Sequence, residues 1–204
     1  MDPNTFPTKG NLILARNTLR MSNLGYDLLE KKRNVLVKEI MELNVKAKKI
    51  QDDINRVFTE AYAALQRANI ELGISDVERI SFGIPLENTV NIKTRSIMGV
   101  EIPMVDYKNS TDQKAVYGLS FTSSSLDEAL VKFNRVKDLI AVLSMIENAA
   151  YRLAISIRKT QKRSNALKNI TIPQYEALAK NIQETLEERE RDEFTRLKVV
   201  KKWK

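Results

Sequence analysis

The chain has 204 residues, 43% of them hydrophobic and 29% charged, with a net charge of +8. It holds neither Cys nor His, which excludes disulfides, thiol nucleophiles and thiolate metal sites, and removes the commonest general base. There is no Gly-x-x-x-x-Gly-Lys-Ser/Thr phosphate loop and no apolar run near the ~18–20 residues of a membrane span. The opening Met-Asp-Pro-Asn-Thr-Phe-Pro has no signal-peptide pattern, so the expectation is a soluble intracellular chain that needs no cofactor or metal.

Helix breakers are confined. Pro occurs only at 3, 7, 85, 103 and 173, and no Gly lies between Gly25 and Gly73 or after Gly118. Two long flanks are therefore free to be helical. The first is predicted to start near Thr8 or Asn11 and to end at Gly73, a residue suited to the left-handed position after a helix. Within it, Leu12, Ala15, Leu19, Ser22, Tyr26, Leu29, Arg33, Leu36, Ile40, Leu43, Ala47, Ile50, Ile54, Val57, Ala61, Ala64 and Ala68 follow alternating steps of three and four. A 3.5-residue repeat keeps one stripe facing a partner helix, the mark of a coiled coil. At 1.5 Å per residue the stretch predicts a helix of roughly 90 Å. Only Ser22 and Arg33 are polar among these positions; they cost stability but oppose register slip.

From Ser75 onward the repeat is lost. Three β-rich fragments follow, Val90–Arg95, Val100–Val105 and Val116–Phe121, and Ile97-Met-Gly-Val reads as a hairpin turn with Gly99 at the bend and Pro103 shortly after. The second helical flank opens at Ser123-Ser124-Ser125, where Ser125 and Glu128 fit a capping box. Its apolar positions are Ala129, Phe133, Val136, Ile140, Leu143, Ile146, Ala150, Leu153 and Ile157. The pattern weakens at Gln161 and Ser164, then resumes at Leu167, Ile172, Tyr175, Leu178, Ile182 and Leu186. Thr171 and Gln174 fit a second capping box with Pro173 in its first turn, predicting a kink near 169–173 without chain reversal.

Two such stripes would stay exposed unless they face each other, and soluble monomers rarely tolerate apolar patches of that size. The predicted fold is mainly α: a long antiparallel coiled coil of N- and C-terminal helices with a small β-hairpin-containing middle region. The expected parts are 8–73, 74–123 and 124–204, with paired positions summing to roughly 197. The positive charge lies on the arms: residues 8–73 hold 12 basic and 8 acidic residues, and residues 126–204 hold 17 and 11. Acidic residues are interleaved throughout, and no aromatic-rich basic module appears, which argues against a basic coiled-coil nucleic-acid-binding or scaffold protein, the alternative reading.

Several segments resemble a known family. Pro7-Thr8-Lys9-Gly10-Asn11-Leu12 with Arg16 and Leu19, then Gly25-Tyr26-Asp27-Leu28-Leu29-Glu30-Lys31-Lys32-Arg33, is similar to the N-terminal signature of the D subunit of V-type and A-type rotary ATPases. Lys162-Arg163-Ser164-Asn165-Ala166-Leu167 with Thr171-Ile172-Pro173, the stretch Glu187 to Lys198, and Gly99-Val100-Glu101-Ile102-Pro103 agree in order and spacing. The resemblance implies the central-stalk rotor shaft of an ion-translocating ATPase or ATP synthase, not itself an enzyme. The implied partners are a hexameric ring of catalytic A and regulatory B subunits, the small F subunit on the middle region, and a linking subunit on the membrane rotor. The implied location is peripheral, on the cytoplasmic side of the membrane, with no direct membrane insertion and no nucleic acid.

With the resemblance, ring contacts are expected from Lys31, Lys32, Arg33, Arg163, Asn165, Arg189, Arg191, Arg196 and Lys198. A blander reading stands beside each. The 187–198 cluster also fits an exposed helix with pairs such as Glu187–Arg191, Arg33 also fits a side chain snorkelling from the seam, and Arg163 and Asn165 also fit groups that satisfy backbone atoms freed at a kink. Charged outer faces are expected to meet the ring without a large apolar interface that would arrest rotation.

Overall fold

A computed structural model of the chain describes residues 6–84, 90–107, 117–118 and 122–203. The described elements are α1 (Lys9–Leu72), α2 (Ile74–Ser81), β1 (Val90–Ile97), β2 (Val100–Tyr107), α3 (Ser124–Ala166), a π-helical turn (Leu167–Thr171) and α4 (Ile172–Lys202). The fold is mainly α, with two long helical stretches and one antiparallel hairpin between them. The chain divides into two compact units, one of Met1–Val35 and Ile157–Lys204, the other of Leu36–Ser156.

The start of α1 is set by Thr8, whose hydroxyl accepts from Asn11 N–H at 3.2 Å while its carbonyl accepts from Leu12 N–H. These N–H groups are among the free donors every helix start must satisfy. Its end is set by Gly73, which donates to the Asn69 carbonyl at 3.0 Å and turns at φ +88°. That conformation is open to glycine at little cost. All 17 stripe positions from Leu12 to Ala68 are buried or half-buried.

In the first unit, α1 lies antiparallel to the helix that follows Ile157. Lys9 Nζ meets Glu190 at 3.0 Å, Arg16 donates to Gln183 at 2.7 Å, and Arg33 donates to Gln161 at 2.8 Å. In the second unit Arg67 faces Glu128 at 3.6 Å and Ser125 donates to Glu71, again antiparallel. Each pair falls within about three residues of the expected sum. The second unit's core is built on small residues, with Ala61, Ala64, Ala68 and Ala129 buried beside Val57 and Val136. Phe58 stacks on Tyr62 at 5.5 Å, and Tyr62 meets Phe133 edge-on at 5.6 Å. Both are aromatic geometries the ring quadrupoles favour.

Three local expectations are corrected, and one element is added. Ile140 is exposed, and Leu139 packs instead against the cluster of Val57, Ala61 and Val136. The segment after Gly73 is a short helix, α2, in which Asp76 pairs with Arg79 one turn on; eight residues are too few for a periodicity signal. Ser125 is not the cap of α3: the Ser123 carbonyl accepts the first helical N–H groups, and Ser125 reaches across to Glu71. Thr171 is helical and makes no side-chain cap bond. The chain stays helical there through the π turn, in which Ile172 N–H donates to the Leu167 carbonyl five residues back. Pro173 removes a donor and crowds the carbonyl four residues earlier, and the wider turn lies directly before it. The same turn absorbs the five-residue step from Leu167 to Ile172, so both remain half-buried.

The hairpin pairs Val90 with Tyr107 through Ile97 with Val100. Met98 and Gly99 form its two-residue turn at φ 49° and 75°, the paired positive angles that match strand twist. Pro103 sits opposite Thr94 on the two-stranded ribbon, where a missing N–H is tolerated. Ile102 is buried, Val105 N–H approaches Met145 Sδ at 3.4 Å, and Arg152 donates to the Glu101 carbonyl at 3.3 Å. The third β-rich fragment, 116–121, lies mostly outside the described residues. Among the described residues, the helix over Ser124–Lys202 contains one 18-residue window of mean hydropathy 1.4, long and apolar enough by composition to cross a membrane. This differs from the sequence expectation, because the apolar residues there cover outer as well as inner faces; Val142, Tyr151 and Ile155 are exposed.

Candidate assembly surfaces

In the first unit the seam carries a polar layer. Ser164, only 1% exposed, donates to Glu30 at 2.7 Å. Glu30 pairs with Arg33 at 2.7 Å, Arg33 donates to Gln161 at 2.8 Å, and Gln161 donates to Asn165 at 3.0 Å. Each polar group that the seam buries here meets a partner, as a low-dielectric setting demands.

Arg33 and Asn165 are thereby engaged inside the unit, Arg33 half-buried and Asn165 exposed. Lys31 is exposed and Lys32 half-buried. Arg163 is exposed on the turn before the π segment. Arg189 reaches the Pro7 carbonyl at 3.4 Å, Arg191 faces Glu187 at 3.8 Å, and Lys198 Nζ lies 4.7 Å from the Phe194 ring centre. Arg196 is exposed, as is every residue from Glu187 to Trp203. Exposed pairs of this kind contribute at most about 1 kcal/mol, so the segment's charges are free to serve a partner. The outer face of α1 in this unit is not purely charged: Leu14, Met21, Leu28 and Val35 stand exposed at seven-residue intervals.

In the second unit a cavity of about 410 Å³ lies between the hairpin and the two helices. Leu43, Ile50, Ile102, Pro103 and Met145 form its apolar walls, with Lys46, Lys49 and Arg95 at its polar edge. Gly99 lies at the hairpin tip, away from these walls.

Across residues 11–202 the chain matches the family model for the ATP synthase D subunit. The chain belongs to the ATP synthase D-subunit family. Among its relatives there, the V-type ATP synthase D subunit of Thermotoga neapolitana is 44% identical over 195 residues, covering 96% of both chains. The A-type D subunit of Thermococcus kodakarensis is 36% identical, covering 97% of this chain and 94% of its own, and that of Methanopyrus kandleri 35%, covering 96% and 84%.

For this D-subunit family member, residue pattern alone places Arg33 at a seam position, the resemblance places it among outward contacts, and the pattern treats Gln161 and Ser164 as a weakening of the stripe. The signal for a polar layer is nonetheless present: with paired positions summing to roughly 197, polar Arg33 falls opposite polar Ser164. The Leu14 stripe is masked by the stronger inner repeat.

The second unit carries a pH signature. Hydrogen bonds from Ser125 and Ser123, with Arg67 nearby, hold the Glu71 carboxyl below its ordinary 4.5. Lys132 and then Arg67 do the same for Glu128. Burial, with the bond to Asp127 at 2.5 Å, pushes the Tyr117 phenol from 10.0 up to about 12. A lowered carboxyl contributes stability that is present above its unfolded value and lost as pH falls through the folded one; a raised phenol contributes stability present below 10.0 and lost as pH climbs toward about 12. Thermal melts across pH should therefore fall off below about 4.5 and above 10, and Glu71→Gln should flatten the acid limb only.

Proposed function

We propose that this chain is the central-stalk rotor subunit of a V/A-type ion-translocating ATPase or ATP synthase, and that it couples nucleotide turnover in an A/B hexamer to ion transport by rotation. The observation that carries the reading is the family match over residues 11–202, on a chain in which α1 lies antiparallel to the C-terminal helical stretch within each unit. In this reading the chain is a non-catalytic member of the complex. The unit holding both termini enters the A/B ring, the F subunit binds the unit that carries the hairpin, and a linking subunit joins the rotor to the membrane ring. The chain is peripheral, on the cytoplasmic side.

The physics of coupling supports such a role. A partner that contacts every state of the ring equally shifts none of them. The first unit is asymmetric about its seam, with an apolar strip on one outer face and mixed charge elsewhere, so it offers different contacts to each ring interface. Glycine is absent from 26–72, which removes the residue that most weakens a helix under load. The nucleic-acid alternative finds no support: basic residues on the arms are paired with or interleaved by acids, as with Arg67–Glu128 and Arg191–Glu187.

Co-expression with the A, B and F subunits of the same host, followed by native mass measurement, tests the proposal. The expected result is a complex containing one copy of this chain with the F subunit and the A/B ring. Recovery of the chain free of both would overturn it.

A further inference from the structure

We infer that the exposed heptad strip Leu14, Met21, Leu28 and Val35 on α1 is a bearing surface for an apolar, carboxylate-rimmed face of the A/B ring. The inference rests on the proposed function and names the surface the ring would use. The four side chains are 43–66% exposed, and Leu24 broadens the strip at 52%. A step of seven residues advances a helix by nearly two turns, so the four lie along one line. That line stands about 130° around the helix from the seam that α1 uses inside the unit, by the 100° turn per residue. The strip is therefore not part of the internal packing, and the helix is apolar on two faces. Such a helix is normally buried on both sides, and contiguous exposed apolar patches mark interaction sites.

The charge around the strip selects the occupant. Exposed Lys31 borders it on one side and half-buried Lys32 on the other. Between Leu14 and Val35 the acidic residues are Asp27 and Glu30. Asp27 lies on the same row as Arg20, which comes seven residues before it, so those two charges offset each other one row farther out, and Glu30 is tied into the seam with Arg33. The margins of the strip are thus cationic. A second copy of this chain would set these cations against their own kind, on a molecule already at +8, and like charges across an interface are costly. A surface that offers aliphatic side chains with carboxylates beside them fits both features. Lys31, expected from sequence to touch the ring, sits at the edge of this strip, so one contact would use its charge and the aliphatic row together.

The test replaces Leu14, Met21 and Leu28 together by Gln. Gln is a good helix former and the sites are exposed, so the isolated variant should melt within a few degrees of the parent. Parent and variant are each titrated against the purified A/B ring, and each is sedimented alone at about 50 μM. The expected result is a monomer in both cases and ring affinity at least tenfold weaker in the variant, with Lys31→Glu alone giving a smaller loss. Equal ring affinity of parent and variant would overturn the inference while leaving the proposed function intact. A parent that self-associates and a variant that does not would overturn it in favour of a second copy. A parent that does not bind the ring would remove the proposed function, and this inference with it.

Discussion

Replacing Leu153 with alanine should lower the melting temperature of the chain by roughly 5–10 °C, the largest effect expected from one truncation. Leu153 and Leu36 are 0% exposed and are the bulkiest apolar side chains so fully enclosed among the described residues. Truncating a buried Leu removes its transfer free energy and leaves a cavity, together about 2–5 kcal/mol. A seam of two helices lies close to solvent on both sides and can partly collapse, which favours the lower half of that range. Leu36→Ala should behave alike. Tyr151→Ala, two residues from Leu153 but 68% exposed, should change stability by less than about 0.5 kcal/mol. Differential scanning calorimetry on the three variants checks the order; a Tyr151 effect as large as that of Leu153 would contradict the assigned seam.

Arg33→Met should cost about 1–2 kcal/mol, because it leaves Glu30 and Gln161 half-buried without their shared donor. Converting the whole layer to apolar residues should give the opposite sign: Glu30→Leu, Arg33→Leu, Gln161→Leu and Ser164→Ala together should be neutral or stabilising, since no partner is then left unmatched. What the quadruple variant loses is uniqueness of alignment, as polar seam positions fix register at a cost in stability. The absence of Cys makes this measurable. Arg16→Cys with Gln183→Cys should be joined by a short bis-thiol crosslinker in either background, because the native side chains span that gap and meet at 2.7 Å. Arg16→Cys with Glu187→Cys, offset by one turn, should crosslink only in the apolar background. Equal trapping of the offset pair in the parent would show that the polar layer does not set alignment.

How much of this was visible in the amino-acid order depends on how many residues carried each signal. The inner stripe repeats over 17 positions, so α1 and its partner face were fixed by periodicity, and the unpaired area argued for an antiparallel partner. The Met98-Gly99 turn was marked by one glycine between two β-rich runs. Short features were not visible. Helix α2 has eight residues and one internal ion pair. Ser125 matched a capping pattern, but its hydroxyl found a stronger partner in Glu71, which lies 54 positions away in the chain. Local pattern cannot see such a competitor. The candidate surfaces were legible only in part: periodicity put Arg33 on the stripe and Lys31 off it, but the partners Glu30 and Gln161 that hold Arg33 inside the unit lie outside any local pattern.

The wide turn at Leu167–Thr171 holds one residue more than an ordinary helical path of the same advance requires. Elsewhere in these long helices, deleting a single amino acid would swing everything downstream by about 100° and expose half the stripe. Between Lys168 and Ile170 the same deletion would tighten the turn and leave the distal stripe facing inward, with the Pro173 ring as the remaining obstacle. Length variation among family members should therefore be tolerated at this point of the long C-terminal stretch before it is tolerated anywhere else along it.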